Sequence, residues 1–309
     1  LLDIAALFKK ELSVPVGCVT YMDPAHAPEF FESALADGKV DFYMMNRPLT
    51  VDTEYVNKLR EGRLDEIAPC TRCLHCHIGS NPMNAKFGYC RVNALTQRVM
   101  REGGPATYEL PSAASKKKVM VVGAGPAGLE AARIAALRGH EVTLHEKKGV
   151  VGGSMEFAHN VKGEHENLTD LIAYLKRQCE LAGVTTKTGS EVTSETIKKE
   201  APDAVVIATG GVRPKLDVQG AKVVNLEDFL TADMGENVVV YGSSAQAFDT
   251  ALWLTVHKKK VNIVTPNPDT DLDKQQSQHA HRFMTTALYS LGVKAWPEST
   301  IKGAQDGKL

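Results

Sequence analysis

KKVMVVGAGPAGLEAARIAALRGHEVTLHEK, residues 117–147, decides the fold. Val119–Val122 is a short apolar run that reads as a strand. Gly123, Gly125 and Gly128 then give GxGxxG, and Leu129–Leu137 continues as a helix with small Ala131, Ala132 and Ala135. EVTLHE is a second strand ending at Glu146. In such a unit the first glycine makes the tight turn, the second admits a pyrophosphate to the backbone, and the third lets helix pack on strand. The helix N-terminus offers free N–H groups and partial positive charge to phosphates. Glu146, 18 residues beyond Gly128, is placed to accept hydrogen bonds from adenosine ribose hydroxyls. A lone GxGxxG says little, and a glycine turn without a ligand is the bland alternative. Strand, helix, second strand and acid in their places predict a Rossmann-like nucleotide-binding domain.

Downstream, Gly152-Gly153 follow the second strand and are expected to admit a close cofactor contact. Leu168, Leu171, Ile172, Leu175, Cys179 and Ala182 recur on one helical face, which makes Cys179 a core residue. AGVTTKTGS reads as a strand and turn, and DAVVIATGG (203–211) as a buried strand ending at Thr209-Gly210-Gly211. His140, His145, His159 and His165 share no ligand-like spacing and receive no role. A second unit of the same shape begins at Asn237: NVVVYGSSAQAFDTALWLTVHKKKVNIVTP. Its turn keeps only Gly242; Ser244 and Ala247 stand where the second and third glycines would be. The fold survives such changes, but a nicotinamide dinucleotide is expected to bind poorly there. The helix over 275–291 is amphipathic, and its Gln278, His281 and Arg282 read as a solvated face.

Upstream, EGGPATYELPSAASKKK (102–118) is a Pro-, Gly- and Ser-containing connector and the clearest boundary in the chain. Before it stands CTRCLHCHIGSNPMNAKFGYC (70–90), with Cys70, Cys73 and Cys76 at two-residue gaps and Cys90 after thirteen more residues. Three neighbouring thiolates and a distant fourth suit a [4Fe–4S] cluster. Structural zinc, with His75 or His77 as ligands, is the main alternative, although zinc sites usually present two separated pairs. Catalytic or idle thiols are the other. Earlier still, IAALFKKEL (4–12) has helical periodicity, and VPVGCV (14–19) and VDFYMM (40–45) read as strands. Helices are expected through EFFESALADG and VNKLREG. Two strand–loop–helix units in about 65 residues fit a parallel α/β fold, and can only be the end of a (β/α)8 barrel, which needs about 250 residues. Arg47, just past a strand's C-terminal end, sits where such barrels bind phosphate, or else is an ordinary surface residue. Lone Cys18 on its strand reads as core.

The chain's 309 residues suffice for two or three domains. A net charge of −1 favours neither nucleic acid nor an anionic membrane as a partner. Six cysteines, four of them clustered, are too few for a disulfide scaffold and point to a reducing, cytoplasmic compartment. No apolar run approaches the ~18 residues of a membrane helix, and no signal peptide is evident. The chain starts Leu1-Leu2-Asp3 without Met and ends soon after a strand-like LGVKAW, so both ends are read as cuts in a longer protein.

This order of parts resembles the Old Yellow Enzyme-related iron–sulfur flavoproteins. These include 2,4-dienoyl-CoA reductase, 2-enoate reductase, the bile-acid enoate reductases, and trimethylamine and histamine dehydrogenases. NRPLTVDTEYVNKLREGRLDEIAPC (46–70) looks like that family's barrel exit into its cluster, and the resemblance covers essentially the whole chain. It implies an α/β protein in four parts: the end of an FMN barrel (1–68), an iron–sulfur loop and connector (69–112), a Rossmann-like FAD- or ADP-binding domain (113–230) and a degenerate NAD(P)-binding-like domain (231–309). By matching position, Cys70, Cys73, Cys76 and Cys90 are the implied cluster ligands. Arg47, with backbone near Gly17, is the implied grip on the FMN phosphate. Gly123, Gly125, Gly128, Glu146, Gly152 and Gly153, with Thr209 and Gly210, are the implied contacts of FAD. Val19 and Thr20 replace the family's usual Gly-Arg, and Asn46 its usual Gly, which weakens the expected grip on FMN.

The short second cysteine gap and the degenerate second turn lean toward the amine-dehydrogenase branch. There, substrate reduces FMN, and electrons leave through the cluster to a protein acceptor such as an electron-transfer flavoprotein. The alternative is an NAD(P)H-dependent reductase of the enoate or 2,4-dienoyl-CoA type. An alternative of another class is a non-catalytic electron-transfer or structural piece. The resemblance implies a small-molecule substrate and a homo-oligomer. Substrate contacts are expected in upstream barrel strands, so no catalytic acid or base is named.

Overall fold

The computed structural model describes residues 1–19, 23–76, 90–96, 110–273 and 276–305. Thr20, His77 and much of the 102–118 connector lie outside these residues.

The N-terminal part is built on two parallel strands, β1 (Gly17–Val19) and β2 (Phe42–Met44). Helix α1 (Leu2–Glu11) precedes them and α2 (Pro28–Ala36) joins them. Pro28 opens α2, because a ring without N–H costs nothing in the first turn. Ala5, Cys18 and Val40 form the small core, so Cys18 is packing material as expected. Each strand is shorter than its apolar run, because only three residues of each pair with the other. Ahead of the helix expected through VNKLREG, Arg47 begins a further helix, α3 (Arg47–Val51), whose Pro48 and Val51 are buried. Pro48 in its first turn suits a helix start. A further helix, α4 (Tyr55–Arg60), leads toward the cysteines.

Residues 118–207 form a four-stranded parallel sheet. Its order is β5 (Thr185–Lys187), β4 (Glu141–His145), β3 (Lys118–Val122), β6 (Ala204–Ile207). The helices are α5 (Pro126–Leu137), α6 (Met155–Lys162), α7 (Leu168–Leu181) and α8 (Ser194–Glu200). The chain steps from β3 through β4 to β5, then crosses to the other side for β6. That reversal leaves a crevice beyond the C-terminal end of β3, where open α/β sheets bind ligands. Val121, Leu129, Ala132, Leu144 and Leu175 fill the core, with Cys179 donating to the Leu129 carbonyl at 3.2 Å. The expected burial of β6 does not hold. It is the edge strand, and Ile207 is 78% exposed, because no described element covers its outer face.

The last part is a three-stranded parallel sheet of β7 (Asn237–Tyr241), β8 (Lys260–Val264) and β9 (Lys294–Trp296). Helices α9 (Ala245–Val256) and α10 (Gln278–Ser290) connect the strands. Phe229, Phe248, Leu254, Ile263 and Leu288 form its core, and Phe157 and Val161 of α6 pack against it. Helix α6 therefore ties the two nucleotide-type units together. Among the described residues, no helix is long and apolar enough to cross a membrane.

Candidate functional site

The cysteine stretch folds around a cavity lined by Cys70, Cys73, Cys76 and Cys90. Arg47, Thr50 and Val51 of α3 complete one wall, and Leu74 and Val92 another. The stretch is anchored by Asp52, a buried carboxylate. Its oxygens accept from Lys58 Nζ at 2.7 Å, the Ala68 N–H at 2.9 Å and the Glu54 N–H at 3.0 Å. Charge-assisted bonds of this kind are roughly twice as strong as neutral ones, so Asp52 fixes the backbone two residues before Cys70. On the far side, Thr96 Oγ1 and Asn93 Nδ2 reach the Thr50 carbonyl at 3.1 and 3.5 Å, which holds the Cys90 segment to α3.

Backbone N–H groups turn toward the sulfurs. Asn93 N–H donates to Cys90 Sγ at 3.3 Å, and Arg72 N–H donates to Cys70. Arg72 and Leu74 both take left-handed conformations, with φ of 52° and 56°. Such conformations are costly for side chains other than Gly, Asn and Asp. Burial pushes the Cys70 thiol up; the Arg72 N–H and the Arg47 guanidinium pull it back. Burial also pushes Cys76 up, and Cys70, Cys73 and Cys90 add to that. His75 is buried with Nε2 3.1 Å from the Arg91 guanidinium, and burial, then Arg91, lowers its affinity for a proton. Among the described residues, no three His, Cys, Asp or Glu side chains are placed to share one metal ion. The four thiols line one cavity.

The first glycine turn is packed so tightly that side chains are barred. A Cβ on Gly128 would lie 1.8 Å from the Gly123 carbonyl oxygen, and one on Gly123 (φ 101°) would lie 2.4 Å from the Ala208 carbonyl oxygen. Around Gly125, by contrast, the nearest atom to an added Cβ is Gly153 Cα at 3.9 Å. Gly153 itself (φ 60°) packs on Gly125, and the Gly152 N–H donates to the Ala124 carbonyl at 2.8 Å. Gly153 is thus required by loop-to-loop contact, and Gly152 (φ 118°) by Ile172 of α7, whose Cδ1 would lie 2.9 Å from an added Cβ. Thr209 lies beside Gly123, and Gly210 at φ 79° faces open space. Glu146 is buried, and its two oxygens accept the Ala124 and Lys148 N–H groups at 2.8 and 2.9 Å. Each oxygen keeps a lone pair for a ribose hydroxyl.

The second turn is arranged differently. Gly242 has φ 142°, and an added Cβ would meet nothing nearer than Ala247 Cβ at 3.7 Å. The Ser243 carbonyl accepts the Asp273 N–H at 2.7 Å, and Ser243 Oγ accepts Asn267 Nδ2 at 2.7 Å. Thr265, fully buried, stands where Glu146 stands in the first unit. Asp273 is buried, and its carboxyl is pushed up to about 7 by burial and then by Asp249, against the pull of Lys162.

Residues 117–308 match the pyridine nucleotide-disulphide oxidoreductase family. The chain belongs to that family. It is 35% identical over 270 residues to cinnamate reductase of Clostridium sporogenes, covering 85% of this chain and 38% of the relative. Among solved structures it is similar to a 2-naphthoyl-CoA reductase in complex with 2-naphthoyl-CoA. That match has 32% identity and a TM-score of 0.84, and covers 99% of this chain and 46% of the other. It is also similar to histamine dehydrogenase from Rhizobium sp. 4-9, at 25% identity and a TM-score of 0.77, covering 96% of this chain and 45% of the other. The chain thus spans less than half the length of each relative, and is related to reductases and to amine dehydrogenases alike.

Within this family member, the residues singled out in the sequence fall in two places. The four cysteines and Arg47 share the cavity; the glycines and Glu146 share the crevice beyond β3 with Thr209 and Gly210. Gly17 lies in β1 beneath the Phe42 ring, and a Cβ there would be 2.4 Å from Phe42 Cε2. Asp52, Arg91 and Asn167 carry no motif, and their ties to Ala68, His75 and Cys70 span 16, 16 and 97 positions. Of the histidines given no role, His145 is buried between Ser190 (2.9 Å) and Glu200 (3.2 Å), an ordinary sheet-to-helix tie.

Proposed function

We propose that this chain is part of an iron–sulfur flavoprotein oxidoreductase. The observation that carries the reading is the cavity lined by Cys70, Cys73, Cys76 and Cys90. The donor set fits an iron–sulfur cluster better than zinc. The four thiols line one cavity, no three of the described His, Cys, Asp or Glu side chains are placed to share one ion, and the Nε2 of His75 lies 3.1 Å from the Arg91 guanidinium. Half-buried thiols that repel one another as thiolates favour a cationic centre among them, which a metal cluster provides. Bound there, a [4Fe–4S] cluster supplies one-electron transfer at a potential set by charge, hydrogen bonds to sulfur and exposure. This chain's share of that tuning is the Arg72 and Asn93 N–H donors and the nearby Arg47 charge. The first turn fits the pyrophosphate of FAD or of ADP alone: Gly125 leaves room, the start of α5 supplies N–H groups, and Glu146 faces the ribose. Arg47, with backbone near Gly17, is the proposed contact of an FMN phosphate.

For direction, the leading reading is a reductase that takes electrons from NAD(P)H and delivers them to an activated C=C. It is supported by the identity to cinnamate reductase and to 2-naphthoyl-CoA reductase, which exceeds that to histamine dehydrogenase. The turn residues alone lean the other way. The second reading is therefore amine oxidation with a protein acceptor, supported by Ala247 and by the Asp273 and Asn267 bonds that already occupy Ser243.

The full-length protein, prepared anaerobically, is expected to carry iron and sulfide near the four of each that one cluster holds, with extractable flavin. Zinc without iron would sink the reading. Cys90→Ser is expected to lose the iron while keeping the adenine flavin. In stopped flow, rapid bleaching of flavin by NADH or NADPH supports the reductase; bleaching by an amine alone supports the second reading.

A further inference from the structure

Asn167 precedes α7 and would ordinarily cap it, accepting a helix N–H on its side-chain oxygen. It makes no such bond. Its backbone is left-handed at φ 47°, it is buried, and its Nδ2 donates to the Cys70 carbonyl at 3.0 Å across 97 positions of sequence. The helix it starts belongs to the nucleotide domain: Leu175 and Cys179 sit in that core, and Ile172 packs on Gly152. The same helix meets the N-terminal part through Asp170 with His26 at 3.0 Å and Arg177 with Asp65 at 2.7 Å. Those two ion pairs are surface contacts worth little. Among these contacts of the described residues, the Asn167 bond is the one that reaches the cysteine cavity.

What it restrains is the peptide between Cys70 and Thr71. Two residues after Cys70 lies Arg72, which is left-handed at φ 52° and whose N–H donates to the Cys70 sulfur. A non-glycine residue holds that conformation only when its surroundings impose it. We propose that Asn167 is the positioning residue for the Cys70 corner of the cluster: its amide holds the Cys70 carbonyl, fixes the 70–72 turn in which Arg72 is left-handed, and so preserves the N–H···S bond. Hydrogen bonds to sulfur favour the reduced, more negative cluster, so the nucleotide domain helps to set the cluster's potential. The proposal rests on the iron–sulfur reading above.

The test is an EPR-monitored redox titration of the full-length holoprotein with Asn167→Gly, Asn167→Asp and Arg72→Gly. Glycine at 167 keeps the left-handed backbone and removes only the amide. The expected result is a shift of the cluster's one-electron equilibrium by about tenfold toward the oxidised form, which is 59 mV for one electron. Asn167→Asp, isosteric but without the donor, should shift it likewise. In an Arg72→Gly background, where glycine holds the turn without help, the effect of Asn167→Gly should shrink to less than about twofold, a coupling that a merely structural role would not produce. Loss of iron from either Asn167 variant with flavin retained also supports the proposal. An unchanged potential in both Asn167 variants, or an equal shift in both backgrounds, overturns it while leaving the cluster in place. Wild-type protein without iron overturns the iron–sulfur reading itself.

Discussion

In the first glycine turn a Cβ on residue 128 would lie 1.8 Å from the Gly123 carbonyl oxygen; in the second, the equivalent residue is Ala247, whose Cβ stands 3.7 Å from where a Cβ on Gly242 would be. Both turns join a parallel strand to a twelve-residue helix. What differs is how close the helix comes and what already touches the turn. Helix α5 is pressed onto β3, with its N-terminal N–H groups directed at the crevice beside open Gly125. At the other turn, α9 stands off by the room one methyl needs, and residues 267 and 273 have taken the polar groups of Ser243. Topology alone therefore does not make a phosphate site. Helix approach and unclaimed turn atoms do.

The largest effect that separates the two turns is expected from Gly128→Ala. In an ordinary helix, Gly to Ala stabilises by about 1 kcal/mol. Here the added methyl has a backbone carbonyl in its place, so the sign should reverse, with a loss of about 3 to 5 kcal/mol and of bound flavin. Ala247→Gly should cost only about 1 kcal/mol, from helix propensity and a lost contact. Urea unfolding of the two variants measures both. If they prove equally mild, the turns do not differ in the way described.

The next contrast lies in the buried acids. Both oxygens of Glu146 accept backbone N–H groups. Asp273 Oδ1 has no hydrogen-bond partner among the described residues, and His281 Nδ1 is 3.8 Å from its other oxygen. A carboxyl raised from 3.8 to about 7 binds its proton more tightly folded than unfolded. Its contribution is then fullest below about pH 4 and is lost as pH rises through about 7. Asp273→Asn should accordingly stabilise the protein by on the order of 3 kcal/mol at pH 8, and by much less at pH 5. Unfolding both proteins at the two pH values decides it. A gain independent of pH would show that Asp273 is not the titrating group.

These contrasts also mark how far the sequence reaches. The first turn was legible because each glycine answers a local demand: a positive φ at 123 and a barred Cβ at 128 are properties of a few adjacent residues. The parallel α/β architecture and the core places of Cys18 and Cys179 were legible from periodicity for the same reason. Spacing also brought the four cysteines under suspicion together. What stayed hidden depends on partners distant in sequence. Nothing near Asn167 announces Cys70, and nothing near Asp52 announces Ala68. Strand β6 was misjudged as buried because an apolar run does not say whether it lies at a sheet's centre or edge. Helix α3 has only five residues, too few to show a periodicity, so its start is visible only once Pro48 is seen in a helix's first turn.

The smallest effect is the most specific. Glu146→Gln keeps the size and one acceptor of the side chain, but its NH2 group must face either the Ala124 or the Lys148 N–H, donor against donor. The turn then loses one charge-assisted bond, and a ribose hydroxyl loses an anionic acceptor. Affinity for the adenine nucleotide should fall about tenfold, or 1.4 kcal/mol, read by ADP titration of flavin-stripped protein. The matching change in the second unit, Asn267→Ala, frees Ser243 Oγ and should leave that affinity unchanged. That pair of outcomes would place the nucleotide in the crevice beyond β3. An equal loss in both variants would mean that the two turns share the ligand, and a loss in Asn267→Ala alone would move the site to the second unit.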